Sequence, residues 1–187
     1  MSDILTRMTA FGSSAWITGR LLLSRRLRLP RENVGRALAF ADGSNSRVFR
    51  ETVWTGAPTR DPALLVVRFQ LRLVGRSRLL HAAFRKESIA NTPLFAGFPG
   101  FRSKLWMSDA QTGVYRGLYE WDGAGPAASY ATSLAALLRP VCVRGSVAFH
   151  VEPGVRRDEV LRGSAAVGDA RATGPDQWWR LREPVPA

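Results

Sequence analysis

Residues 63–73 read ALLVVRFQLRL, and this stretch decides the fold. Five apolar residues in a row are followed by alternating polar and apolar residues, which is typical of a buried β-strand. Residues 76–91 come next, with apolar side chains such as Leu80 and Phe84 at helical spacing. This spacing predicts an amphipathic helix after the strand.

Four further elements follow this strand and helix. They are predicted as strand 101–107, strand 113–121, helix 126–138 and strand 146–152. Pro126 suits the first turn of the helix, and Arg139 with Pro140 ends it. The order β-α-β-β-α-β is that of the ferredoxin-like split βαβ unit, so residues 63–152 predict one α+β domain.

Two segments flank this domain, an N-terminal extension at 1–62 and a C-terminal tail at 153–187. Residues 3–28 carry apolar side chains at helical spacing, which predicts an amphipathic helix that Pro30 ends. That helix either docks on the domain or on a partner subunit, or lies on a membrane surface.

The rest of the extension predicts a β-hairpin and a linker. Residues 36–41 and 47–55 are strand-like, and the intervening Asp-Gly-Ser-Asn at 42–45 is a turn signal. The tail is rich in proline and glycine and contains an aromatic pair, Trp178 and Trp179.

Composition excludes several kinds of site. The chain has 187 residues, one cysteine (Cys142) and two histidines, so an internal disulfide and a three-histidine metal site are impossible. The net charge is +12, but no basic run exceeds two residues and no aromatic-basic RNA motif occurs, so nucleic acid is not an expected partner. The longest uncharged stretch has 16 residues, and no secretory signal is evident, so a cytoplasmic protein is expected.

Period-two alternation divides the predicted strands into two faces. The face predicted to lie under both helices is apolar, with Val67, Phe69, Leu71, Leu105, Met107, Leu118, Val147, Phe149 and Val151. The other face is aromatic and cationic, with Arg68, Gln70, Arg72, Arg102, Lys104, Trp106, Tyr115, Tyr119, Trp121 and His150. Exposed aromatics would form a costly patch, so a second copy of the chain is expected to cover this face. The covered face is either a ligand-binding lumen or a plain dimer interface.

Three stretches, ESIAN at 87–91, FPGFRSKLW at 98–106 and GVYRGLYEW at 113–121, resemble the YdhR-like mono-oxygenase family. Ala127 and Tyr130 match the helix that follows, and the resemblance covers residues 64–153. It implies a dimeric α/β barrel of the antibiotic-biosynthesis mono-oxygenase-like superfamily, whose members include cofactor-free oxygenases, cyclases, haem enzymes and proteins without known activity. Arg116 departs from the pattern because the family has a glycine there.

The aromatic and cationic face suggests proton abstraction from an activated phenol or β-dicarbonyl. We expect three catalytic residues: His150 as acid or base, Tyr119 as a hydrogen-bond donor, and Arg68 to stabilise negative charge. The expected substrate-binding residues are Lys104, Trp106, Tyr115, Trp121 and Gln70.

The resulting hypothesis is a small-molecule enzyme acting on an aromatic or polyketide-like substrate by cofactor-independent mono-oxygenation or a related cyclisation. The sequence has no dinucleotide, phosphate-loop or metalloprotease motif, and no cofactor or metal is expected. The alternatives are a binding protein without catalysis, which residues 3–28 would hold at a membrane surface, and a partner subunit anchored by Trp178 and Trp179.

Overall fold

A computed structural model describes residues 26–72, 97–163 and 175–182. The predicted helix at 76–91 and most of the predicted helix at 3–28 lie outside these residues. The elements are β1 (Leu27–Arg28), β2 (Ala37–Ala39), β3 (Asn45–Trp54), β4 (Pro62–Gln70), β5 (Phe101–Ser108), β6 (Val114–Asp122), α1 (Ala124–Leu138), β7 (Ala148–Pro153), α2 (Arg157–Leu161) and a 3₁₀ turn (Pro175–Gln177).

The strands form one antiparallel sheet with the order β1-β3-β5-β6-β4-β7, and β2 pairs with the free part of β3. The segment β5-β6-β4-β7 places the first strand of the predicted domain between its third and fourth strands. This is the ferredoxin-like order, so the predicted α+β fold is confirmed. The N-terminal hairpin extends the sheet because β3 pairs with the edge of β5.

The predicted hairpin is confirmed, whereas the end of the predicted N-terminal helix is wrong. Gly43 has φ +85°, and Asp42 accepts a hydrogen bond from the Ser44 amide, so the turn forms where the sequence indicated. Leu27 and Arg28 are not helical but pair as a strand with the end of β3. Strand pairing across the sheet therefore overrides the local helical spacing at these two residues.

Helix α1 follows a tight turn at the end of β6. Gly123 adopts φ +104° and donates its amide hydrogen to the Asp61 carbonyl, at 2.6 Å. Pro126 lies within the first turn, where its missing amide hydrogen costs no helical hydrogen bond. The buried side of the helix consists of Ala127, Tyr130, Ala131, Leu134 and Ala135. This side packs on β4, β6 and β7.

Cross-strand pairing assigns each residue to a face, because directly opposed residues point to the same side of a sheet. Leu65 and Lys104 both pair with Tyr119, so these three share the face under α1. This helix face carries Ala63, Leu65, Val67, Phe69, Lys104, Trp106, Tyr115, Gly117, Tyr119 and Trp121. The opposite face carries Leu64, Val66, Arg68, Leu105, Met107, Arg116, Leu118, Glu120 and His150.

The predicted division into faces is therefore wrong by one residue between two pairs of strands. The prediction assigned the residues of β4 and β7 correctly relative to each other, and likewise those of β5 and β6. It put the wrong residues of one pair on the same face as those of the other pair. Val67 and Leu105 lie on different faces of the sheet, although they were predicted to share one. The physical reason is that Leu64 and Val66 are as buried as Leu65 and Val67, so both faces of β4 are apolar.

The opposite face is covered by the chain itself. Leu38, Phe40 and Val48 of the hairpin region, Leu161 of α2, and Trp178 with Trp179 form one core with the sheet residues of that face. Residues 178–182 are held by backbone hydrogen bonds to Ala39 and Ala41. The expectation that a second copy covers this face is wrong, because N- and C-terminal segments of the same chain occupy it.

Two buried ionic groups fasten these covering segments to the sheet. Arg157 of α2 lies 2.9 Å from Glu51 of β3, an ion pair that is not aligned as a hydrogen bond. Arg116 of β6 lies 3.0 Å from Asp42 in the hairpin turn and donates to the Ser46 hydroxyl. In each pair the carboxylate neutralises the charge of the buried arginine, and the contact joins a covering segment to the sheet.

Candidate functional site

Lys104 is the most unusual residue of the helix face. It lies in the middle of β5 and is only 5% exposed, although lysine is rarely buried. Its Nζ lies 3.0 Å from the centroid of the Trp106 ring and 4.7 Å from that of Tyr119. The strand alternation places Trp106 beside Lys104 on the same face, and the β5–β6 register places Tyr119 directly opposite.

The surroundings of Lys104 favour its neutral amine. Burial, followed by the positive charge of Arg50, holds the pKa of Lys104 well below its ordinary value. The contacts with the two aromatic rings favour the ammonium form and offset part of this effect. A lysine with a lowered pKa gives up its proton more readily than an exposed lysine does.

Arg50 is a second cationic residue on this side of the sheet. It pairs with Trp106 across β3 and β5, and its guanidinium lies 5.4 Å from the centroid of that ring. Arg50 was not among the predicted site residues, because no local sequence signal indicates that β3 adds to the edge of β5. Lys104 and Arg50 thus both lie against the buried Trp106 ring.

Two phenols lie next to the lysine. The hydroxyl oxygens of Tyr119 and Tyr130 are 3.5 Å apart, and both side chains are buried. Burial raises the pKa of both residues, so the phenols stay protonated and can donate hydrogen bonds. The donor role expected of Tyr119 stays a prediction, and Tyr130 of α1 lies beside it on the helix face.

Gly117 makes room for Tyr119. A methyl group at Gly117 would lie 2.5 Å from the Tyr119 ring, which is closer than real side-chain carbons approach. Gly117 also pairs with Trp106 across the strands. The absent side chain therefore allows the Tyr119 ring to lean towards Trp106 and Lys104.

Trp121 and Tyr115 share this face but have packing roles. Trp121 is fully buried and packs edge-on against Phe101 and near Tyr130, with centroids 5.8 and 5.0 Å apart. Tyr115 stacks on Phe69. Tyr115 precedes Tyr119 by four residues in β6, which separates the two by about 13 Å along the strand. The substrate-binding roles expected of Trp121 and Tyr115 stay predictions, and the structure shows ring-packing contacts for both.

His150 and Arg68 lie on the opposite face, so the expected catalytic set is divided by the sheet. The His150 ring stacks on Trp179 with centroids 3.6 Å apart, and its Nε2 lies 2.9 Å from Glu152. The Arg68 guanidinium lies over Trp178, 4.6 Å from the ring centroid. Both residues bind the covering C-terminal segment, and their assignment to one site with Tyr119 is wrong.

Gln70 also lies apart from the lysine. Its side-chain amide donates to the Thr112 carbonyl at 2.9 Å, and its backbone amide contacts the Ser146 hydroxyl. These bonds fasten the end of β4 to neighbouring turns. Of the eight predicted site residues, the structure brings together Lys104, Trp106 and Tyr119.

Within the described ranges, no group of three or more histidine, cysteine, aspartate or glutamate side chains could hold a metal ion. Helix α1 and the short α2 are also unable to cross a membrane, as no helix among the described residues combines the necessary length and hydropathy.

No family model matches the chain, and no curated protein matches it. Several solved structures are similar to it at low identity, among them the following three. A ferredoxin-fold protein from Listeria monocytogenes, related to antibiotic biosynthesis monooxygenases, is 12% identical with a TM-score of 0.41, and the match covers 61% of this chain and 66% of that one. A monooxygenase-like protein from Listeria innocua is 12% identical with a TM-score of 0.39 and coverage of 62% and 66%.

An anthrone oxidase-like protein is 15% identical with a TM-score of 0.38, and the match covers 60% of this chain and 57% of that one. The chain thus spans less than two thirds of the length of these three proteins. Their names describe those proteins, and the function of this chain is inferred from its own residues.

Proposed function

We propose that the chain is an enzyme that deprotonates a hydrophobic aromatic or polyketide-like molecule at Lys104 and supports its mono-oxygenation without a cofactor. The single observation that carries this proposal is the burial of Lys104 between Trp106 and Tyr119, which lowers its pKa. The related cyclisation would use the same proton transfer.

The proton transfer follows from the state of the amine. A neutral amine accepts a proton from an acidic C–H or phenol O–H group, and the product is an ammonium beside a delocalised anion. The new ion pair forms in a buried environment, where its attraction is stronger than in water. Lys104 therefore acts first as a base and then as a counter-ion.

The neighbouring groups support the anion. Arg50 supplies a second positive charge near Trp106. The buried phenol of Tyr119 donates a hydrogen bond to an enolate oxygen, and the Trp106 ring offers an aromatic surface for a flat ring system. These three contributions are of the kind that stabilises charge that develops during a reaction.

Oxygenation then needs only dioxygen as co-reactant. The carbanion form of a methylene group reacts with dioxygen to a peroxide, and loss of water from the peroxide leaves a carbonyl group. The balance is CH₂ + O₂ → C=O + H₂O, in which the substrate supplies all four electrons. No external reductant is required.

The test uses anthrone, because its methylene group is acidified by a carbonyl and two aryl rings. Oxygen uptake and quinone formation are measured with the full chain, with Lys104→Met, and with Arg60→Met as control, because Arg60 is exposed and distant. We expect Lys104→Met to lower the turnover number by about 10²-fold or more, because loss of a general base has an effect of this size. Arg60→Met should match the wild type.

Two outcomes would overturn this proposal. Equal turnover by Lys104→Met and wild type would remove the lysine from the chemistry. Tight binding of anthrone without any turnover by the wild type would favour the alternative, a binding protein that holds an apolar anion without catalysis.

The YdhR-like resemblance of residues 64–153, a homodimer and a cytoplasmic location stay predictions. Since the chain covers the opposite face itself, a dimer would have to use another surface. Native mass spectrometry decides the oligomeric state, because a dimer has twice the mass of 20.6 kDa.

A further inference from the structure

A groove with three arginines lies where β4 and α1 end. Its volume is about 520 Å³, and it is lined by Arg72 after β4, Arg139 at the end of α1 and Arg144 in the turn before β7. Among the described residues that line it, there is no aspartate or glutamate. The groove is therefore suited to a negatively charged group of the size of a phosphate ester.

The arginine-bearing turn is held against the sheet. The Arg72 amide donates to the Val141 carbonyl at 3.0 Å, and the Val143 amide donates to the Gln70 carbonyl at 2.8 Å. Cys142 is buried between these bonds, and the Arg72 guanidinium also donates to the Pro140 carbonyl. The turn that carries Arg144 and the end of β4 thus have a defined backbone on this side of the groove.

Several exposed apolar side chains lie close in sequence to the residues that line this groove. Among the described residues, six large apolar side chains are exposed, and four of them fall within 137–149, namely Leu137, Val141, Val143 and Phe149 at 38 to 50% exposure. Val143 lines the groove itself. Apolar residues grouped around cations are typical of a surface that meets lipid.

We infer that this face docks on a membrane that contains anionic phospholipid, with a lipid phosphate in the groove and the four apolar side chains at the boundary of the acyl chains. Charge complementarity favours this partner, because arginines near an anionic leaflet gain attraction. A second copy of the same face would place six arginines together, and a free phosphate would leave the apolar side chains in water. The inference does not depend on the proposed activity or on residues 3–28.

Co-sedimentation of the full chain with vesicles tests this inference. The vesicles contain either phosphatidylcholine alone or phosphatidylcholine with about one quarter phosphatidylglycerol. The test variant is R139Q/R144Q, and the control is R60Q/R162Q, which loses the same charge from exposed positions outside the groove. Thermal melts show whether each variant is folded.

We expect the wild type to bind the phosphatidylglycerol vesicles more tightly than the neutral ones, and less tightly as the salt concentration rises. R139Q/R144Q should lower the partition coefficient about 25-fold, roughly fivefold for each arginine. L137Q/V141Q should also weaken binding, while inorganic phosphate should not compete at millimolar concentration.

Three results would contradict the inference. A loss of binding by R60Q/R162Q as large as that by R139Q/R144Q would show that net charge alone sets the membrane affinity. R139Q/R144Q binding as well as the wild type would place any membrane contact elsewhere in the chain. Competition by inorganic phosphate, with L137Q/V141Q unaffected, would identify a site for a free phosphate.

Discussion

Replacement of Lys104 by methionine should stabilise the protein while it abolishes the proposed chemistry. Methionine has a similar length and no charge, so it fills the space beside Trp106 and Tyr119 without the cost of burying an amine. Replacement of buried ionic groups by well-packed apolar ones is often neutral or stabilises proteins by about 1–4 kcal/mol, and we expect a gain of about 1–3 kcal/mol here. For a chain of this length, the melting temperature should rise by roughly 2–12 °C.

The pH dependence of this effect has a definite sign. The unfolded lysine has a pKa of about 10.4, and the pKa of Lys104 in the folded chain is lower. Between these two values the unfolded chain binds more protons, so the wild type gains stability as the pH rises, by at most about 1.4 kcal/mol per pH unit. The advantage of Lys104→Met is therefore largest below the folded pKa and shrinks as the pH approaches 10.4.

Urea unfolding of both proteins at several pH values measures this difference. Other titrating groups are the same in both proteins, so their contributions cancel in the difference. Arg60→Met is the control, because an exposed substitution should change stability by no more than about 0.5 kcal/mol. The reasoning is refuted if Lys104→Met is less stable than the wild type, or if the difference between them does not change with pH.

Three further substitutions test the packing that positions the site, each by urea unfolding against the wild type. Gly117→Ala should cost about 1–3 kcal/mol, because its methyl group would press on the Tyr119 ring; an unchanged midpoint would contradict that contact. Trp179→Ala should cost about 3–5 kcal/mol through loss of the covering core, with Trp179→Phe as the milder control, and a loss below 1 kcal/mol would show that the segment does not cover the sheet. Glu51→Gln should cost about 1.5–3 kcal/mol, because Arg157 loses its buried partner and keeps only the exposed Asp158; the E51L/R157L double variant should recover most of this loss, and a double variant that is no better would argue against the pair.

Features that depend on local spacing could be predicted from the sequence. The strand at 63–73, the turn at 42–45 and the helix at 126–138 all form within a few residues of the expected bounds. In each case neighbouring residues carry the signal, as turn chemistry or as apolar periodicity. The order of these elements was also sufficient for the ferredoxin-like fold.

The arrangement of the site depends on pairing between distant strands, and the sequence does not specify it. Because Leu64 and Leu65 are both buried, alternation in β4 does not determine which face meets the helix. His150 was consequently placed beside Tyr119, although Val66 pairs with His150 and Leu65 pairs with Tyr119. The error affected the faces assigned to whole strands. Lys104, Trp106 and Tyr119 were still predicted on one face, because the faces of β5 and β6 were matched correctly.

The covering of the opposite face was also beyond local patterns. Trp178 and Trp179 lie more than twenty residues from the last strand of the domain, and only the fold brings them to Arg68 and His150. An aromatic pair in a tail rich in proline and glycine was compatible with a partner subunit or with the chain itself. The hairpin and the tail cover that face jointly, which no single segment indicates.

The central claim is that Lys104 is a buried lysine with a lowered pKa, and nuclear magnetic resonance measures this directly. The chain contains two lysines, Lys86 and Lys104, so labelling with ¹³Cε-lysine gives two signals. The spectrum of Lys104→Met assigns them, and titration over pH gives the pKa of each. We predict that the Lys104 signal titrates well below 10.5 while the protein stays folded. A Lys104 signal that titrates at 10.5 or above would contradict both the proposed base and the proposed function.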